Sequence, residues 1–244
     1  MDQPGRRGRL HRRLVLAAPA LLAARPEPAA AQDGAVDLLL VLAVDASGSI
    51  DADEFTLQRE GLAEALSHPA VLGAIRSQPR GAIGVAMVEW GAPGGAATVV
   101  EWMRVGDAAS AQAASRAMRD APRSRQSYNA IGDALVHCGA LLAAAPWRAS
   151  ERTIDVSGDG PDMRGLTPAP VARDALVAHG VVVNGLAIEA SSSWRDGRLS
   201  ALYERDVIGG PGAFVVRAED RRDFARAMRA KLIREIAAGR DAAG

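Results

Sequence analysis

The segment Asp45-Ala-Ser47-Gly-Ser49 offers one carboxylate and two hydroxyls at alternate positions. Skipping one residue each time lets all three point into one space, and Gly48 is expected to permit the tight turn. Oxygen donors of this kind suit a hard divalent cation such as Mg²⁺, which takes about six oxygen ligands at roughly 2.0–2.1 Å. Neutral hydroxyls beside a single carboxylate leave the ion with residual positive charge. That arrangement is expected where an acid from outside completes the shell. Two further loops are rich in oxygen donors. Arg125-Gln-Ser127-Tyr-Asn129-Ala-Ile-Gly132 precedes a helical pattern, and Val156-Ser-Gly-Asp159-Gly-Pro161 follows a short apolar run.

The same residues argue against several catalytic chemistries. If Asp45 were a phosphoryl-accepting nucleophile of the haloacid-dehalogenase type, a second acid should stand two residues on as general acid. Ser47 stands there, and a hydroxyl does no acid–base work at neutral pH. Lys231, the only lysine, falls in the last helical pattern and not where it would neutralise a phosphoryl group. There is no Gly-x-Ser-x-Gly elbow, and no glycine fingerprint of a dinucleotide site follows the first strand. His68, His137 and His179 pair neither with one another nor with cysteine at zinc spacing.

Loops so far apart in sequence need a frame to bring them together. Residues 36–44 form a nearly continuous apolar run, the signature of a strand buried on both faces. Residues 82–88 and 181–188 read the same way, and 153–156 and 213–216 as shorter strands. Residues 98–103 alternate more and carry Glu101, which predicts an edge strand. Asp51 with Glu54 makes a capping box, after which Phe55, Leu62 and Leu66 share one helical face. Residues 107–119, 131–145, 168–179 and 220–236 complete the helical set. Ile131, Leu135, Cys138 and Leu142 recur at helical spacing, which makes Cys138 a core residue more than a reactive thiol. The alternation predicts an α/β fold: a doubly wound, mostly parallel central sheet with helices on both faces and one antiparallel edge strand. In such sheets ligands bind at the carboxyl ends of the strands, where the three loops fall.

On these loops and this element order, residues 36–236 resemble a von Willebrand factor type A (vWA) domain. The metal-ion-dependent adhesion site of such domains takes a D-x-S-x-S loop, a Thr before a helix and an Asp of a T-D-G-like turn. The resemblance implies Asp45, Ser47, Ser49 and Asp159 as metal ligands. Asn129-Ala-Ile131-Gly132 aligns with Thr-x-Leu/Ile-Gly, so Asn129 stands where a threonine hydroxyl is expected. Its carbonyl oxygen is an acceptable hard ligand, and Ser127 is the alternative. The run from Ile154 to Pro161, with Asn184-Gly-Leu-Ala-Ile188, further resembles a bacterial family of exported proteins built on one such domain. The resemblance implies Mg²⁺, with Mn²⁺ or Ca²⁺ as alternatives, and a partner protein presenting Glu or Asp to the ion. It does not imply an enzyme. A phosphoryl-transfer enzyme using Asp45, or a scaffold with a vestigial metal site, are the competing readings.

Other polar and aromatic residues read more plainly. Asp155 is expected to be a hydrogen-bonded structural acid, and Asn184 a satisfied polar group of the core. Asp162 is expected at the surface in preference to touching the site through water. Trp90 and Trp194 fall at strand ends on the loop side, either as rim packing or as part of a partner surface.

The first residues differ from the rest. Arg6, Arg7, Arg9, Arg12 and Arg13 precede the apolar stretch 14–24, and Ala29-Ala30-Ala31 follows. This is the grammar of a secretory signal peptide over residues 1–31, cleaved after Ala31, with either general or twin-arginine export open. Eleven apolar residues broken by Pro19 would span about half of a ~30 Å hydrocarbon core, so no stable membrane insertion is expected. Cleavage removes six arginines and two acids, leaving the mature chain at a net charge of about −4. A mildly acidic chain has no electrostatic reason to bind nucleic acid or anionic lipid. Cys138 is the only cysteine, which excludes an intramolecular disulfide and leaves none near the leader for a lipid anchor. The expected product is a periplasmic or secreted vWA-like domain over 36–236 with a short tail at 237–244.

Overall fold

A strand as apolar as residues 36–44 is stable only where both faces and both edges are covered. β1 (Ala35–Asp45) meets that demand, hydrogen-bonded in parallel to β2 (Ile83–Trp90) on one side and β4 (Arg148–Gly158) on the other. The computed structural model describes residue 1, residues 34–190, residue 194 and residues 196–238. The expected leader (Met1 apart) and the end of the tail lie outside the described residues.

Around β1 the sheet is completed by β3 (Ala97–Val105), β5 (Val182–Ile188) and β6 (Val215–Ala218). The order is β3-β2-β1-β4-β5-β6; β3 is antiparallel at one edge and every other pairing is parallel. This is the expected doubly wound α/β architecture. Alternation along β1 divides the core. Leu38, Leu40, Leu42 and Val44 face one layer, with α1 (Ala52–Ser67), α2 (Pro69–Arg76), α3 (Ala108–Asp120) and α7 (Phe224–Ala238). Leu39, Val41 and Ala43 face the other, with α4 (Ile131–Ala143), α5 (Ala169–Ala178) and α6 (Arg198–Asp206). Cys138 is fully buried in the second layer, and burial pushes its thiol far up, out of the reactive range. Among the described residues no helix is long and apolar enough to cross a membrane.

Several boundaries differ from the sequence expectation. β4 is eleven residues long where four were expected, because its polar first half, 148–152, pairs with the start of β1. Two helices, α2 and α6, were not expected. α2 has eight residues, entered through Pro69 at its first turn and a His68 ring that accepts from the Ala70 amide. α6 has nine, begins after a left-handed Gly197, and buries only Leu199 and Tyr203. Helices this short carry too few turns for a hydrophobic stripe to stand out. The Asp51–Glu54 capping box on α1 is present in both directions.

The sheet also encloses an ionic cluster. Lys231 on α7 is fully buried, with its ammonium 2.7 Å from Asp155 Oδ1 and paired with Glu235. Asn184 donates to Glu235 at 2.8 Å and accepts from the Phe214 amide, so it is the satisfied core amide that was expected. Two carboxyls share one ammonium, and retaining one proton makes the group neutral. Burial first, and then the Glu235 carboxylate, push Asp155 from 3.8 up to about 7 against the pull of Lys231.

A raised carboxyl means that the native chain holds a proton which the unfolded chain has already lost. Stability is therefore greatest at the acid side of the window and falls as pH rises from about 4 through about 7. Asp155→Asn removes the titration and keeps a donor toward Glu235. The fall in melting temperature between pH 5 and pH 8 should be smaller in Asp155→Asn than in wild type. Equal slopes by scanning calorimetry would exclude this account of the cluster.

Candidate metal centre

β1 and β4 run parallel side by side, so the loops after Asp45 and Gly158 emerge together at the carboxyl edge of the sheet. Asp45 is fully buried. Its Oδ1 accepts from the Ser47 amide at 2.8 Å, and its Oδ2 faces the Asp159 amide at 3.4 Å. The Ser47 and Ser49 hydroxyls lie 3.0 Å apart, Ser47 buried and Ser49 exposed. Thus Asp45, Ser47, Ser49 and Asp159 form one group. Burial first, and then the approach of Asp159, push the Asp45 carboxyl up to about 7, against its hydrogen bonds from Ser47. Gly48 does not play the part expected of it. It avoids the left-handed region, and a Cβ there would meet nothing within 4 Å.

The second loop approaches from α4. Asn129 is 8 % exposed, and its main-chain oxygen accepts from the Met163 amide at 2.6 Å. A Cβ on Gly160 would stand 2.2 Å from Asn129 Nδ2, so the missing side chain makes room for the amide beside the Asp159 turn. Ser127, the alternative, is exposed. Tyr128 between them has φ 62°, and Arg164 across the site has φ 60°. Left-handed backbone at such residues is strained, and strain of this kind concentrates at binding sites.

The donors are therefore two carboxylates, two hydroxyls and a carboxamide, all hard oxygen or able to present it. Among the described residues there is no group of three or more His, Cys, Asp or Glu side chains that would hold a metal on its own. His68, His137 and His179 make separate local contacts: His68 caps α2, His137 meets Thr98 and His179 meets Ala175. The chemistry of the donor set fits a hard cation. Of the two carboxyls brought together, Asp159 pairs with the Arg221 guanidinium, whereas Asp45 faces only amide dipoles and has no cationic side chain on it among the described residues.

Residues 35–240 match the model of a family described as a protein of unknown function, DUF1194. The chain belongs to that family. None of the curated proteins matches the sequence. Among solved structures, the DUF1194 chain is similar to proximal thread matrix protein 1 of the mussel byssus with a zinc-occupied MIDAS motif. That likeness has a TM-score of 0.59 at 17% identity, over 83% of this chain and 46% of the other. The open form of the pilus adhesin SpaC of Lactobacillus rhamnosus GG gives a TM-score of 0.56 at 17% identity, over 85% and 30%. A von Willebrand factor type A protein of Catenulispora acidiphila gives 0.52 at 18% identity, over 84% and 43%. The DUF1194 chain spans less than half the length of each of these proteins. At such identities the likeness is one of fold, and the fold is that of a vWA domain.

Several residues that shape the site were not visible as such in the sequence. The Arg123 guanidinium donates to the carbonyls of Ala46, Ser47 and Ile50, at 3.3, 3.2 and 2.8 Å, and fixes the Asp45 loop from outside. Gln58 on α1 donates to the Asp45 carbonyl at 2.8 Å. Tyr203 on α6 is fully buried and hydrogen-bonds the Gly160 carbonyl at 3.4 Å; burial, then Asp45, Asp159 and Asp162, push its phenol well up. Trp90 is buried beneath the loops and takes no part in a surface, and Trp194 packs against the same core layer. Asp155 lies inside the sheet, away from the donors.

Asp162 is corrected most clearly. It is not a solvated surface acid. Its Oδ1 accepts from the Gly132 amide at 3.2 Å and its Oδ2 from the Ala169 amide at 2.8 Å, so one carboxylate serves the N-termini of α4 and α5. Neither helix has a capping side chain of its own at its N-cap residue. Losing a capping carboxylate costs about 1–2 kcal/mol. Asp162→Ala should lower stability by that amount in urea unfolding, and Asp162→Asn by less. If Asp162→Ala unfolded at the wild-type midpoint, the capping role would be refuted.

Proposed function

We propose that this DUF1194 protein is an exported, metal-dependent protein-binding module. A divalent cation held by Asp45, Ser47, Ser49, Asn129 and Asp159 accepts a Glu or Asp side chain of a partner. The observation that carries this reading is the meeting of Asp45 and Asp159 at the sheet edge, beside the Ser47–Ser49 hydroxyl pair, of which Ser49 is exposed. Mg²⁺ is the ion that the hard oxygen donors suit best, with Mn²⁺ or Ca²⁺ as alternatives. When bound, it supplies a Lewis-acidic attachment point for a carboxylate. The chain itself orients the donors through Ser47, Gln58 and Arg123, and shields Asp45 from water.

The rim supports recognition of a protein. Tyr128, Met163 and Leu166 are 49%, 47% and 79% exposed, in the two loops that flank Asn129. The Arg164 guanidinium lies 5.0 Å from the Tyr128 ring. Exposed aromatic, apolar and arginine side chains beside a charged anchor make a surface of the kind protein partners use. A phosphoryl-transfer reading gains no such support. Ser47 stands where a general acid is wanted, and Lys231 is enclosed with Asp155 and Glu235. The Arg-rich, apolar start of the chain supports export to the periplasm or beyond.

Isothermal titration of Mg²⁺ and Mn²⁺ into the purified protein tests the reading directly. One site per chain is expected, and Asp45→Ala should lose both the heat of binding and any EDTA-sensitive partner capture. An Asp45→Ala protein that bound metal like wild type would sink the proposal. The pH dependence adds a second expectation. The ion needs the Asp45 carboxylate, whose proton leaves only near pH 7. Metal binding should release a proton below that value, and affinity should rise with pH up to about 7 and then level off. Titration in two buffers of different ionisation heat measures the proton released.

A further inference from the structure

Arg221 lies in the segment between β6 and α7 and is 7% exposed. Its guanidinium touches three side chains. Nη2 donates to Asp159 Oδ2 at 2.5 Å, Nε lies 2.9 Å from Glu54 Oε1, and Nη1 reaches Gln58 Oε1 at 3.5 Å. Gln58 in turn holds the Asp45 carbonyl. One buried cation therefore sits against one carboxylate of the candidate metal centre and is wired to the backbone of the other. Its main-chain oxygen also accepts from the Phe224 amide at 3.3 Å, where α7 begins.

Two features make this more than a surface ion pair. The guanidinium is almost without water, so its charge is screened less than that of a surface pair. It also takes one Asp159 oxygen directly, in the same small space into which a divalent ion would bring two more positive charges. Arg222, its neighbour, is exposed, so burial singles out one of two adjacent arginines.

We infer that Arg221 is a resident counter-cation of the metal centre: it holds Asp159 in place when no ion is bound, and it sets metal affinity by opposing the incoming charge. The inference rests on the metal-binding reading above. It makes Arg221 a residue that tunes the site from outside the ligand set. Metal entry loosens its grip on Asp159 and leaves Glu54 and Gln58, both on α1, as its remaining partners.

The test is Mg²⁺ titration by calorimetry on wild type, Arg221→Gln, Arg221→Met, Arg221→Lys and Asp45→Ala, each checked for folding by its melt in EDTA. Neutral Arg221→Gln and Arg221→Met should bind Mg²⁺ roughly tenfold more tightly than wild type, since one opposing charge at short range is removed. Arg221→Lys, which keeps the charge, should stay near wild type. Equal affinity in wild type and both neutral variants overturns the inference while leaving the metal reading intact. Weaker binding in the neutral variants also overturns it, and makes Arg221 a support for the ligands. If no protein binds the ion, both ideas fall; if only the neutral variants bind, the inference stands and the metal reading fails for wild type. Should the variants not fold, the wild-type protein still decides. The Arg221 Nε–H resonance in NMR must shift as Mg²⁺ is added, and a static resonance refutes the coupling.

Discussion

A carboxylate at the end of a strand that is buried on both faces must lose its water, and the loss costs several kcal/mol unless other charges or dipoles replace the water. Asp45 is in that position because β1 is central: its neighbours β2 and β4 close both edges, and the last residue of the strand inherits the burial of the rest. The loops at the carboxyl edge of the sheet are arranged around this constraint. Main-chain amides of Ser47 and Asp159 face its two oxygens. Gln58 and Arg123 hold the carbonyls of the same loop, so its backbone cannot turn away. Asp159 adds a second negative charge to the same space, which makes the demand for a cation sharper.

Buried cations answer this demand throughout one half of the molecule. Arg59 on α1 pairs with Glu89 at the end of β2, and Glu89 also accepts from the Ser124 amide, which anchors the segment that leads to Asn129. Lys231 on α7 meets Asp155 and Glu235 within the sheet layer. Arg221 meets Asp159 and Glu54. All three cations come from α1, α7 or the turn before α7, on the face that Leu40 and Leu42 share. The opposite layer, with α4, α5 and α6, contributes apolar packing from Ile131, Leu135 and Leu199 and the capped helix ends held by Asp162. Replacing such ion pairs by apolar side chains often leaves stability unchanged or improved, whereas removing one partner is costly. Their value here lies in fixing where α1 and α7 sit relative to the loops.

How much of this was legible in the sequence depended on whether the signal was local. The β1 run, the Asp51–Glu54 capping box and the edge character of β3 are short-range patterns, and each stands in the structure as read; the Asp45-x-Ser-x-Ser spacing does bring its three side chains together, though without the glycine turn expected at Gly48. The doubly wound α/β class followed from the alternation of strands and helices, and the vWA fold from the resemblance of the loops. What escaped depends on partners far along the chain. Arg221 sits in Glu219-Asp-Arg-Arg222, which reads as a solvated charge run; only the packing of α7 on α1 buries one arginine of the pair. Asp162 and the amides it serves are separated by up to thirty residues, so no spacing rule points to it. Tyr203 was hidden because α6 is a single short amphipathic helix whose two buried residues leave no stripe. Trp90 turned inward because its register partner is Asp45, at the covered end of β1.

Charge at the candidate centre then bears on what would bind there. Asp45 and Asp159 bring two negative charges once both are ionised; Arg221 returns one, and Glu54 beside it takes one back. Asn129 is neutral, so it adds a carboxamide to the site without altering the sum. A divalent ion among these residues would bring the sum to about zero, with the ion's own charge at a rim where Ser49 and the Tyr128, Met163 and Leu166 side chains are open to solvent. The low dielectric beneath, with Trp90 and Tyr203 fully buried, does nothing to screen it. A carboxylate attached to a protein loop would reach the ion with apolar neighbours suited to those exposed side chains. The exposed rim supports the acidic protein partner proposed above, and removing Arg221 would take one positive charge away and so weaken the pull on an acid.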